Sequence, residues 1–170
     1  SMLYAATGKR WWAARRTVPL FALTAVVCGS ALVLAVATLA AALSGAAGAV
    51  LTSAAPLLLV VAGGTVVKVA AELATFRHRR DRELTELRRT AILLGREFHR
   101  LLALRVLAAA VGGVLMPLTL WAAWHEPDPA LGSSLFLTVV IVALVILGEL
   151  IERWTFFTAV SSPRMPGGLP

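Results

Sequence analysis

The stretch TVPLFALTAVVCGSALVLAVATLAAALSGAAGAVLTSAAPLLLVVAGGTVV, Thr17 to Val67, contains no Asp, Glu, Lys or Arg in 51 positions. A single helix of that length would be roughly 75 Å long, against ~30 Å for the hydrocarbon layer of a bilayer. The run must therefore fold back on itself. Ser44-Gly45-Ala46-Ala47-Gly48, near its middle, supplies the turn, because Gly and Ser punctuate helices. The stretch then reads as two membrane-crossing helices joined by a tight connection.

The rest of the chain agrees. Apolar residues are 59% of the 170 and charged residues 15%, where an ordinary soluble domain carries ~25% charge. Two further apolar runs complete an all-α, polytopic membrane protein. Its four transmembrane helices form one bundle, with spans at about 18–43, 49–72, 102–124 and 133–157. Barrel strands alternate apolar and polar residues over ~10 positions, whereas these runs are continuous and rich in Ala, Leu and Val. The first span is too long for the ~7–15 residue core of a signal peptide, and three more follow. Cys28 is alone, so it forms no internal disulfide and belongs to no cysteine metal motif.

The basic residues set the expected orientation. Lys9, Arg10, Arg15 and Arg16 precede the first span. Arg77, Arg79, Arg80, Arg82, Arg88, Arg89, Arg96 and Arg100 lie between the second and third, and Arg164 follows the fourth. The connections on the opposite side carry no Lys or Arg, and one holds Glu126 and Asp128. This asymmetry places both termini and the 77–100 segment in the cytoplasm. All five tryptophans fall at the expected interfaces: Trp11, Trp12 and Trp154 inside, Trp121 and Trp124 outside. Within 77–100, Leu84, Leu87, Ala91, Leu94 and Phe98 recur at helical spacing among charges. That pattern predicts a basic amphipathic helix that lies on the inner leaflet, packs on the bundle or docks a partner, with a bend near Gly95.

The last span raises a second question. Leu135 to Gly148 is uncharged, yet Glu149, Glu152 and Arg153 follow within five positions. On a helix, Glu149 and Arg153 stand at i and i+4, so an intrahelical pair is expected. Glu152 is left to find a partner on another helix. Lys68 and Glu72 near the inner end of span two, and Arg105 at the start of span three, reach the same depth. The six charges Lys68, Glu72, Arg105, Glu149, Glu152 and Arg153 sum to zero. They form either a neutral ring that locks the helix ends or a polar entrance for a redox-active lipid headgroup or for protons. Ala109 with Gly113, and Gly63 with Gly64, allow close helix approach, and Pro117 can kink span three.

Several functions are disfavoured. No histidine falls within a span to hold haem, and no cysteine cluster serves iron–sulfur. No nucleophile–base pair, P-loop or dinucleotide fingerprint occurs, so no catalytic residue and no metal site is assigned. A transporter or channel half, or a membrane scaffold without redox role, remains an alternative use of the same charges.

The chain ends carry a resemblance. Ser1-Met2-Leu3-Tyr4 with Thr7-Gly8-Lys9-Arg10-Trp11-Trp12 resembles a cytoplasmic-side loop of the membrane-anchor subunits of dimethyl-sulfoxide-reductase-type complexes. The stretch Gly148 to Val160, followed by Pro163-Arg164-Met165-Pro166-Gly167-Gly168, is similar to the last helix and tail of that family, and Lys68 to His78 also looks like its pattern. The resemblance implies a non-catalytic anchor in a bacterial inner membrane. Such an anchor binds no cofactor of its own. It exchanges electrons between quinone or quinol and an iron–sulfur subunit, which in turn serves a molybdopterin catalytic subunit. It also implies that Tyr4 joins the six charges at the quinone or proton entrance and that Arg10, Trp11 and Arg77 dock the partner; Arg79, Arg80 and Arg82 are further docking candidates by their place in the basic 77–100 segment. The family normally has about eight spans, so this chain matches its C-terminal half and is expected to work with a missing N-terminal half or a second membrane chain.

Overall fold

The computed structural model describes residues 14–44, 47–74, 76, 92, 95–125 and 130–158. Four long helices dominate, and the described residues contain no strand: α1 (Ala14–Ser44), α2 (Ala47–Leu73), α3 (His99–Ala123) and α4 (Leu131–Thr158). Each contains a stretch long and apolar enough to cross a membrane. The break between α1 and α2 falls where Ser44 and its glycine neighbour interrupt the apolar run. The observed helices overrun the expected spans by one to four residues, except that α3 ends one residue early, at Ala123. α3 starts at His99 because the chain turns at Glu97 and Phe98, slightly later than Gly95. Most of the expected amphipathic helix, residues 77–91, 93 and 94, lies outside the described residues.

Each helix packs against its neighbour in sequence, and α1 closes the ring by packing on α4. Thus α2 and α4 stand at opposite corners of a four-helix bundle. Its surface is as apolar as its core, and its charges gather inside one end. Leu43, Val36 and Phe136 are 80%, 66% and 68% exposed, while Lys68 is 0% exposed. Exposed large apolar side chains occur on all four helices, as with Leu32 and Leu39 on α1, Val66 and Val67 on α2, Leu107 and Leu115 on α3 and Val139 and Leu150 on α4, a spread that a soluble monomer does not show. Such a surface is stable against lipid, and together with four helices of spanning length it marks a membrane protein.

The interior is apolar with a few saturated hydroxyls. Val27, Leu34, Leu51, Leu58, Val61, Leu120 and Ile141 form its core. Thr38 of α1 and Thr138 of α4 meet there, Oγ1 to Oγ1 at 3.3 Å. The carbonyls four residues back compete for the same two protons, Leu34 O 2.7 Å from Thr38 Oγ1 and Ser134 O 2.8 Å from Thr138 Oγ1, so when one hydroxyl donates to the other, the second donates to its own carbonyl. Trp124 departs from the expected lipid anchor. It is buried, and its indole Nε1 donates to Ser134 Oγ at 3.1 Å, tying α3 to α4 at the end away from the charges. An indole facing a neighbouring helix with its N–H satisfied packs inward; Trp154, half-exposed, remains at the surface.

Helix α3 carries a π segment, Ala109–Leu115, in which the Met116 amide bonds the Val111 carbonyl five residues back. Pro117 follows directly. Its ring would collide with the carbonyl four residues back in a regular α-helix, and the widened turn relieves that clash. Gly112 and Gly113 lie in this segment and face different neighbours. A Cβ on Gly112 would run into Leu144 of α4, and one on Gly113 would come within 2.5 Å of Thr65 of α2. Two successive glycines therefore let α3 press on both neighbours at once. Gly63, by contrast, has open space around it.

Candidate functional site

Five of the six charges expected at one depth converge in direct contact at the bundle end opposite the 45–46 connection. Lys68 and Glu72 stand one turn apart on α2, Arg105 projects from the start of α3, and Glu149 and Glu152 come from the last third of α4. Lys68 crosses the bundle axis from its corner to α4. Its ammonium contacts Glu149 Oε2 and lies 2.6 Å from Glu152 Oε2. It also donates to Thr24 Oγ1 of α1 at 2.7 Å. Three donors thus meet three acceptors, and the group is saturated. Arg105 Nη2 lies 3.3 Å from Glu72 Oε1, 3.3 Å from Glu152 Oε2 and 3.6 Å from Glu149 Oε1. All four helices contribute to this network.

The expected intrahelical pair between Glu149 and Arg153 does not form among the described residues. Glu149 turns to the axis and is taken by Lys68 and Arg105. Arg153, ~40° further round the helix, turns to α1, where Nη2 donates to Thr24 Oγ1 at 2.9 Å and Cζ sits 3.4 Å from the centre of the Phe21 ring. The magnitudes decide this. An i, i+4 pair contributes ~0.3–0.5 kcal/mol, whereas an ammonium buried without a counter-ion loses several kcal/mol. Glu149 therefore neutralises the fully buried Lys68, and Arg153 finds a ring face and a hydroxyl instead.

Thr24 is the hinge of the arrangement. Its hydroxyl accepts from Lys68 and from Arg153 and donates to the Leu20 carbonyl at 3.0 Å. One donor and two acceptor sites are all in use. Sequence reasoning missed Thr24 and Phe21 because neither is charged. A depth count could have found Thr24: it lies seven residues into the apolar run, ~10 Å, level with Lys68 five residues before the end of α2. Gly148, part of the resembling stretch, also takes part. The Arg105 guanidinium lies against it, with Nη1 3.1 Å from where a Cβ would stand.

The contacting five groups hold three carboxylates and two cations, a net charge of −1, and Arg153 across Thr24 restores neutrality. Glu72 is the most accessible of the acids, at 16% side-chain exposure against 10% and 11% for Glu149 and Glu152. Beside it an apolar groove of about 290 Å³ runs between α2 and α3, lined by Val69, Ala70 and Leu73 on one side and Val106, Ala109 and Val114 on the other. Three carboxylates around one guanidinium can share protons, and Glu72 can accept a hydrogen bond from a polar headgroup whose tail lies in that groove. The described residues hold no cluster of metal ligands. Tyr4, Arg10, Trp11, Arg77, Arg79, Arg80 and Arg82 lie outside the described residues, as does the tail beyond Thr158. No protein-family model matches the chain, and neither curated proteins nor solved structures give a match.

Proposed function

We propose that this chain is the membrane-anchor half of a multi-subunit molybdopterin and iron–sulfur oxidoreductase. In this reading it sits in a bacterial inner membrane with both termini in the cytoplasm. It exchanges electrons with the quinone pool through an iron–sulfur partner. One observation carries the reading. The residues of the two sequence stretches that resemble such anchors, Lys68 and Glu72 from one and Gly148, Glu149 and Glu152 from the other, are the residues that meet in the ionic cluster. The apolar groove beside Glu72 suits the isoprenoid tail of a quinone, with the headgroup at the Glu72 carboxylate. In this reading electrons travel in the partners, which carry the iron–sulfur clusters and the molybdopterin.

A transport path through the same charges is less well supported, because Lys68 is sealed from every side and its three hydrogen bonds are taken. Solubilisation in a mild detergent followed by affinity capture of this chain tests the proposal. Co-recovery of iron–sulfur and molybdenum subunits, together with a second membrane polypeptide, supports it. Recovery of the chain as a lone assembly that moves a solute defeats it.

A further inference from the structure

A second groove lies on the other face of α3, and its mouth is built differently. Leu104, Leu107, Ala108 and Val111 of α3 face Leu144 and Leu147 of α4 across about 220 Å³ of wholly apolar space. Arg100 is exposed and stands four residues before Leu104, on the same stripe of α3. Trp154 stands seven residues after Leu147, on the same stripe of α4, and is half-exposed. The two mouths are level. The Phe98 and Trp154 rings meet edge-to-face at 5.5 Å, which fixes the register of α3 against α4, and Arg100 is ~3 Å further along α3.

The turn entering α3 adds to this rim. His99 Nδ1 bonds the Arg96 carbonyl at 2.8 Å and closes the turn. Arg96, Glu97, His99 and Arg100 are all exposed there. Glu97 offsets one arginine and leaves a net positive rim above an apolar slot. The geometry points to a selective site for one anionic phospholipid, its acyl chain in the α3–α4 groove and its phosphate between Arg100 and the Trp154 indole. The charge complementarity identifies the lipid: a zwitterionic headgroup brings its own cation to a rim that is already positive, whereas phosphatidylglycerol does not. This site is separate from the ionic cluster and does not depend on the redox reading.

Native mass spectrometry of the full chain in detergent micelles, with phosphatidylglycerol and phosphatidylcholine added in equal amounts, tests it. The chain should retain phosphatidylglycerol over phosphatidylcholine by about five-fold, the factor that corresponds to ~1 kcal/mol for one arginine at an anionic headgroup. Arg100→Gln should bring the ratio to about one, and Arg100→Lys should preserve most of it. Leu104→Trp, which fills the slot and leaves the charge, should reduce retained phosphatidylglycerol by a similar factor. Equal retention of both lipids by the unaltered chain overturns the site. So does an Arg100→Gln ratio unchanged from the parent, an Arg100→Lys ratio as low as that of Arg100→Gln, or a Leu104→Trp chain that retains phosphatidylglycerol fully.

Discussion

Arg105 and Gly148 touch: the guanidinium of α3 lies on bare backbone of α4, its Nη1 3.1 Å from the place of a missing Cβ. Arg105 is 4% exposed and its Nε finds no hydrogen-bond partner among the described residues, so the group is held by packing as well as by the carboxylates. Gly148→Ala requires the guanidinium to shift by a few tenths of an ångström and should lower stability modestly. Gly148→Leu overfills the site and should cost ~1–3 kcal/mol. Thermal unfolding in detergent, followed by circular dichroism, orders the three chains. Equal midpoints for all three would show that the contact is slack.

Lys68 is the cation on which the diagonal depends. Lys68→Met leaves Glu149 and Glu152 without their ammonium and should cost ~3–5 kcal/mol, the penalty of an unpaired buried charge. Combining it with Glu149→Gln removes one of the stranded charges and should recover part of that loss. Strictly additive losses in the double variant would contradict direct pairing.

Thr24 and Thr38 offer a comparison of two hydroxyls in one helix. Thr24→Val withdraws an acceptor from two cations and should cost ~1.5–3 kcal/mol. Thr38→Val removes a neutral bond to Thr138 and should cost ~0.6 kcal/mol, the average for bonds within membrane bundles. Unfolding midpoints measured side by side should therefore separate the two by a clear margin. The reverse order would refute the role given to Thr24.

Orientation is open to labelling. With Cys28 replaced by Ala, single cysteines at Arg88 and His125 should react with a membrane-impermeant reagent from opposite sides of sealed vesicles. Reaction from the same side would remove the up-and-down order of spans and, with it, the membrane reading.

The fold was legible because it rests on one strong signal, the uncharged run from Thr17 to Val67 with Ser44 and glycine inside it. Hydropathy and length fix span number with little help from packing. The depth of Lys68, Glu72, Arg105, Glu149 and Glu152 was legible for the same reason, since rise per residue is constant on a helix. Pairing within the cluster was not. Helix periodicity places Glu149 beside Arg153, but Lys68 arrives from another helix and the larger burial penalty wins. The π segment before Pro117 and the inward turn of Trp124 were equally hidden, because each depends on the shape of a neighbouring helix.

The cluster's corner-to-corner geometry bears on biogenesis. Lys68 enters the bilayer with the first hairpin, α1 and α2, whereas both carboxylates that neutralise it arrive with the second, α3 and α4. The first hairpin alone offers Lys68 only Glu72, one turn along the same helix, as a carboxylate, whereas the closed bundle brings Glu149 and Glu152 to it. The three-point seat of that ammonium, two carboxylates of α4 and the Thr24 hydroxyl of α1, therefore exists only when both hairpins are in place.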